Sequence, residues 1–298
     1  MKILVVVMSN KIIDYKTEFG RFKQMNRYYP EIMPIISEGD SWFSYPLTGA
    51  NLMDQLVFKF EGCINYLRLE SSGHEAQQIF KSTSSGQLKD LIKHIAFFKV
   101  PIVLLSAGGN DVVGKSKIDL YEMANHDRDV ATLINSAGLQ AELLAVKDSF
   151  ERAILGLIAA NPDIRIITHS YDYPIVSGNA APITINSLGL IAPVVNVFKQ
   201  VGPWIFPILK EKGLTNQDAQ QMFAEQLINQ FHDFILLPLK NQYTDNFDFV
   251  DLRGSLNQIN YNWNDEIHPS AAGFEILANK FWQKLRPEII NAYRKWQS

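Results

Sequence analysis

A single cysteine, Cys63, stands in 298 residues. It excludes an internal disulfide and a thiolate zinc cluster, but it does not fix the compartment. Basic charge is not in excess. The net charge of -3 argues against a nucleic-acid partner, which usually wants a basic face. No apolar run approaches the ~20 residues of a membrane-spanning helix. There is no Walker loop and no Gly-x-Gly-x-x-Gly, so no cofactor is expected. None of the 6 histidines pairs with another at metal-ligand spacing, and no metal is expected. The nucleophile-elbow pattern Gly-x-Ser-x-Gly is missing as well, which argues against the ordinary α/β-hydrolase fold.

What is present is a normal core-forming composition. Hydrophobic residues make up 47% and charged residues 20%, and the 298 residues are enough for one large α/β domain or two small ones. The opening Met1–Met8 starts like a signal peptide, but no small-residue cleavage site follows. It reads as a strand or a docked arm. A cytoplasmic location is the default expectation, with export left open. The rest of residues 1–30 reads as a polar and aromatic lead-in without a clear period.

Apolar runs then alternate with helical spacing. Strands are expected at Ile32–Ser37 (weakened by Pro34), Cys63–Leu69, Val100–Ser106, Ile164–His169 and Phe247–Leu252. Helical patterns cover Leu52–Phe60, Ala76–Phe80, Gln87–Phe98, Leu139–Ala160 and Gly273–Leu285. Such alternation predicts a mainly parallel sheet with helices on both faces, ligands binding at the carboxyl edge. Residues 174 to about 215, rich in Pro and apolar side chains, break the pattern. They leave from the end of the His169 strand. The reading is one domain over residues 1–298, with residues 174–246 inserted as an apolar cap over the site edge.

Three polar blocks sit where that edge should be: Gly39-Asp40-Ser41-Trp42, Gly108-Gly109-Asn110-Asp111 and Asp265-Glu266-Ile267-His268-Pro269. A serine hydroxyl needs a base within reach, and the base needs an orienting acid. Ser41, His268 and Asp265 are the residue types for those roles, and Asn110 could donate to an oxyanion. Gly73, in Ser71-Ser72-Gly73-His74, could offer a backbone N–H. Each block also has a plainer explanation taken alone. Asp40-Ser41 could cap a helix, His268 could sit at the surface beside one, and the glycine blocks could be turns. His169 and Tyr171 end a strand and so border the expected site.

Taken together, the blocks resemble the SGNH (GDSL-like) hydrolase family, over about residues 32–285. The matching blocks are Gly39-Asp40-Ser41, Ser72-Gly73, Gly108-Gly109-Asn110-Asp111 and Asp265-x-x-His268-Pro269. The resemblance implies a flavodoxin-like three-layer α/β/α sandwich around an about five-stranded parallel sheet. It implies Ser41 as nucleophile, His268 as general base and Asp265 as its orienting acid. Ser41, Gly73 and Asn110 would form the oxyanion hole. Trp42 stands where the family name has Leu, and His74 where a small or acidic residue is more usual. With His169 and Tyr171, these two are the candidate substrate contacts.

The expected activity is that of a serine esterase or lipase acting on a small-molecule or lipid ester, with the apolar cap covering an acyl chain or simply packing on the sheet. An acyltransferase using the same acyl-enzyme with an alcohol or sugar acceptor is the alternative. A non-catalytic binding protein is a third reading, disfavoured by the joint presence of Ser41, Asn110, Asp265 and His268.

Overall fold

The computed structural model describes residues 15–45, 50–60, 64–121, 129–180, 202–256 and 260–298. The expectations for Met1–Met8, for the start of the second strand at Cys63 and for the middle of the cap (181–201) lie outside the described residues.

In chain order the main elements are α1 (Tyr15–Tyr28), β1 (Met33–Gly39), α2 (Ser41–Ser44), α3 (Leu52–Val57) and β2 (Ile64–Arg68). Then come α4 (Ala76–Ile79), α5 (Gly86–Phe98), β3 (Ile102–Ser106), α6 (Gly109–Val112), α7 (Val130–Ile134), α8 (Ala137–Ala160) and β4 (Arg165–His169). The carboxyl-terminal part holds α9 (Phe206–Glu211), α10 (Gln217–Gln230), α11 (Leu237–Gln242), β5 (Phe247–Val250) and α12 (Ala271–Trp296). A π-helical turn, Phe231–Leu236, joins α10 to α11.

The strands form one all-parallel sheet in the order β2-β1-β3-β4-β5. This is the flavodoxin-like doubly wound order, whose switch point lies between β1 and β3. Helices flank the sheet to give a three-layer α/β/α sandwich. Strands β1, β3 and β5 are buried along their whole length, as expected for a sheet covered on both faces. Pro34 is tolerated because the β1–β3 ladder begins only at Ile35↔Ile102. On α8 the buried Leu139, Leu143, Val146, Phe150, Ile154 and Leu157 recur at helical spacing and form a stripe against the core.

Two elements depart from the sequence reading. Helix α1 forms where no period was visible. Among its described side chains only Phe22 is fully buried, edge-on to Phe98 with ring centroids 5.0 Å apart. Its carbonyl accepts a hydrogen bond from Asn65 of β2. Helix α12 runs straight past Leu285 and through Pro287. Leu285, Ile289 and Ala292 keep the apolar stripe going, and the Trp296 indole N–H donates to the Pro30 carbonyl at 2.8 Å. That packing outweighs the backbone bond lost at the proline.

Candidate active site

The carboxyl ends of β1 and β3 approach so closely that only glycine fits at 39. A Cβ there would meet the Ser106 carbonyl oxygen at 2.4 Å. The approach lets the Asp40 N–H donate to that carbonyl at 2.8 Å. Asp40 then caps α2 by accepting from the Trp42 N–H at 3.0 Å, so the plain helix-cap explanation is correct as far as it goes. The same turn presents Ser41 at the sheet edge.

The Ser41 hydroxyl lies 2.8 Å from His268 Nε2. On the other side of the ring, His268 Nδ1 is 2.8 Å from Asp265 Oδ2. Asp265 also accepts the backbone N–H groups of Ile267 at 2.9 Å and His268 at 2.8 Å, and the Tyr45 hydroxyl at 2.9 Å. Burial alone would raise the Asp265 pKa. The neighbouring His268 and these hydrogen bonds outweigh it and hold the pKa below the ordinary value. The Tyr45 ring stacks flat on His268, with centroids 3.6 Å apart and a 6° tilt, which fixes the plane of the imidazole. A further strut joins the two ends of the chain: the Trp42 indole N–H donates to the Ile267 carbonyl at 2.9 Å.

Gly73 and Asn110 line one cleft with Ser41 and His268. The Asn110 side-chain amide donates to the His74 carbonyl at 2.9 Å, leaving its second N–H for another acceptor. Asp111, fully buried, accepts from the N–H groups of Ala76 at 2.7 Å and Gln77 at 3.2 Å. It thereby ties α6 to the loop that carries Gly73. Burial pushes the Asp111 pKa up to about 6 despite these bonds.

The four candidate substrate contacts separate. Trp42 and Tyr171 line a cavity next to Ser41. The Tyr171 hydroxyl donates to Asp40 and accepts from the Gly109 N–H. His169 is buried beneath Trp42, its ring stacked on the indole with centroids 5.3 Å apart. It is bonded to Ser106 and to the Ser170 carbonyl, and burial lowers its pKa to about 4. It is not among the residues lining either cavity beside Ser41. The His74 ring faces Gln87 at 3.1 Å, and only its backbone carbonyl touches the site through Asn110.

Sequence reasoning missed Tyr45, Glu266 and Phe231. Tyr45 is four residues after Ser41 and so follows it around one helical turn. Glu266 lies inside the Asp265–His268 block and is fully buried. Its carboxylate accepts the N–H groups of Gly178, Trp204, Ile205 and Phe206. It therefore ties the segments on either side of residues 181–201 to the loop that carries His268. Phe231 projects from the π-helical turn towards Gly108, where a Cβ would lie 2.6 Å from its ring. Among the described residues, no group of three or more His, Cys, Asp or Glu could hold a metal ion, and no helix is long and apolar enough to cross a membrane.

No family model and no curated protein matches the chain. Solved structures do. A carbohydrate esterase family 3 protein from Talaromyces cellulolyticus is 13% identical with a TM-score of 0.41, over 87% of this chain and 99% of that one. A family 3 carbohydrate esterase from Clostridium thermocellum is 14% identical with a TM-score of 0.39, over 88% and 98%. An extracellular lipase from Streptomyces rimosus is 11% identical with a TM-score of 0.41, over 83% and 98%. The fold implied by the SGNH resemblance, a sandwich around a five-stranded parallel sheet, is the fold observed.

Proposed function

We propose that this protein is a serine hydrolase of carboxylic esters. One observation carries the reading: a hydroxyl, an imidazole and a depressed-pKa carboxylate stand in line, 2.8 Å apart at each step. Ser41 Oγ attacks the ester carbonyl carbon as His268 Nε2 takes its proton. Asp265 holds the Nδ1–H tautomer and stabilises the imidazolium. The backbone N–H groups of Ser41 and Gly73 and the Asn110 amide receive the oxyanion. His268 returns the proton to the leaving alcohol, and water repeats the sequence to free the acid and Ser41.

Residues 174–246 are read as an insertion that covers the site edge, a reading supported by Pro174, Ile205, Leu227 and Phe231 lining the cavity next to Ser41. The same acyl-enzyme would acylate an alcohol or sugar seated in the polar cleft beside His268. Adding glycerol to the assay and analysing products separates transfer from hydrolysis. The central test is labelling with a fluorophosphonate, followed by mapping of the modified residue. Stoichiometric modification of Ser41, absent in His268→Ala, is expected. Modification elsewhere, or none, sinks the reading.

A further inference from the structure

Ser41 stands between two cavities of opposite character. One is walled by Val112, Leu143, Ile205, Leu227, Phe231 and Ile267. The carboxylates it meets are already engaged. Asp40 and Tyr171 bond each other, and Asp172 accepts from the N–H groups of Tyr173 and Leu256. The other, a cleft, is lined by Tyr45, Ser72, Glu75, Ser116, Trp204 and His268. Ser41 and Asn110 belong to both, but His268 lines only the polar cleft.

That asymmetry orients the ester, given the serine-hydrolase reading on which this inference rests. The base that deprotonates Ser41 must later hand its proton to the leaving oxygen, so the alcohol lies on the imidazole side. The alcohol therefore occupies the polar cleft, and the acyl group is left to the apolar cavity. Glu75 in the cleft is matched by Lys117 at 2.9 Å, so the cleft offers hydrogen-bonding groups without an unpaired charge from that carboxylate. We infer that the protein cleaves esters joining an aliphatic acid longer than acetate to an uncharged, hydroxylated alcohol. The acyl chain runs between α8 and α10, against Leu143 and Phe231.

The test compares glycerol monoacetate with glycerol monooctanoate, on the wild type and on Ile228→Trp. Ile228 lines the apolar cavity but is only half-buried and has no part in the catalytic groups. In the wild type, kcat/KM should be at least about tenfold higher for the octanoate, because the added methylenes leave water. In Ile228→Trp that preference should disappear, octanoate kcat/KM falling at least about tenfold further than acetate kcat/KM. A wild type that shows no chain-length preference, or a variant that slows both esters equally, overturns the inference while Ser41-dependent acetate turnover keeps the hydrolase reading intact. Absence of turnover for every ester together with an unlabelled Ser41 overturns both. Should the variant fail to fold, the crystal structure of the wild type inactivated by an octylphosphonate decides. The octyl chain against Leu143 and Phe231 supports the assignment, and the chain beside Glu75 and Ser116 overturns it.

Discussion

His169 and Asp40 are joined beneath the nucleophile by one hydroxyl, that of Ser106, which lies 3.0 Å from His169 Nε2 and 2.7 Å from Asp40 Oδ1. Both partners are fully buried, and the ring's Nδ1 is spent on the Ser170 carbonyl at 2.8 Å. Ser106→Ala should therefore strand a ring nitrogen and a carboxylate oxygen in a low-dielectric interior. Equilibrium unfolding in denaturant is expected to show a loss of about 2–3 kcal/mol. A loss below about 0.5 kcal/mol, the usual range of a surface substitution, would mean the chain of bonds is not stabilising.

Ser41 and His268 act as a unit in the proposed chemistry. Ser41→Ala and His268→Ala should each lower kcat by several orders of magnitude, and the double variant should be little worse than either. Steady-state kinetics on the three proteins decide. Losses that multiply would mean the hydroxyl and imidazole contribute independently.

Asn110→Ala removes one side-chain donor from the cleft and also its bond to the His74 carbonyl. The expected cost is about 10²–10³-fold in kcat, with a much smaller change in KM. A change confined to KM would assign Asn110 to ground-state binding instead.

Asp111 supplies a pH test. Its pKa is raised by burial to about 6 in the folded protein, above the ordinary 3.8. The native state therefore holds this proton over a pH range where the unfolded chain has lost it. The sign follows: this group's contribution to stability is greatest below about 3.8 and declines as pH rises through about 6. Other buried carboxyls shift the same way, so the observable is a difference. Between pH 4 and 7, the Tm of the wild type should fall relative to that of Asp111→Asn. Parallel profiles would rule out Asp111 as a source of the slope.

Glu266 accepts four backbone N–H groups, those of Gly178, Trp204, Ile205 and Phe206. Glu266→Ala leaves the buried Ile205 N–H and three half-buried ones without this acceptor, at an expected cost of about 2–4 kcal/mol. The loss should be accompanied by a larger fall in octanoate than in acetate turnover, since Ile205 lines the apolar cavity proposed for the acyl chain. Thermal unfolding and the paired ester assay check it. Equal falls would make Glu266 a general strut with no specific hold on the apolar cavity.

The parts of this molecule that were legible in the sequence are those written in strong, local patterns. Strand β3 is an unbroken apolar run because it is covered on both faces. Helix α8 shows its stripe because one side meets the core. The blocks around Ser41, Asn110 and His268 stood out because polar residues directly after buried strands have few packing explanations. What stayed hidden depends on partners distant in sequence. Helix α1 has only Phe22 fully buried among its described side chains and leans on β2 and Phe98. Pro287 marks a helix end by local rules, yet the packing of Ile289 and the Trp296 bond to Pro30 carry α12 onward. His169 looked like a site residue because it ends a strand, but the Trp42 ring lies over it and turns it into flooring. Phe231 reaches the site through a π-helical turn, for which the sequence offers no period to read.

The hydroxyl of Ser41 and its proton acceptor are separated by 227 positions along the chain. In the proposed chemistry, then, a chain cut anywhere before residue 265 would carry Ser41 without the imidazole and carboxylate that activate it.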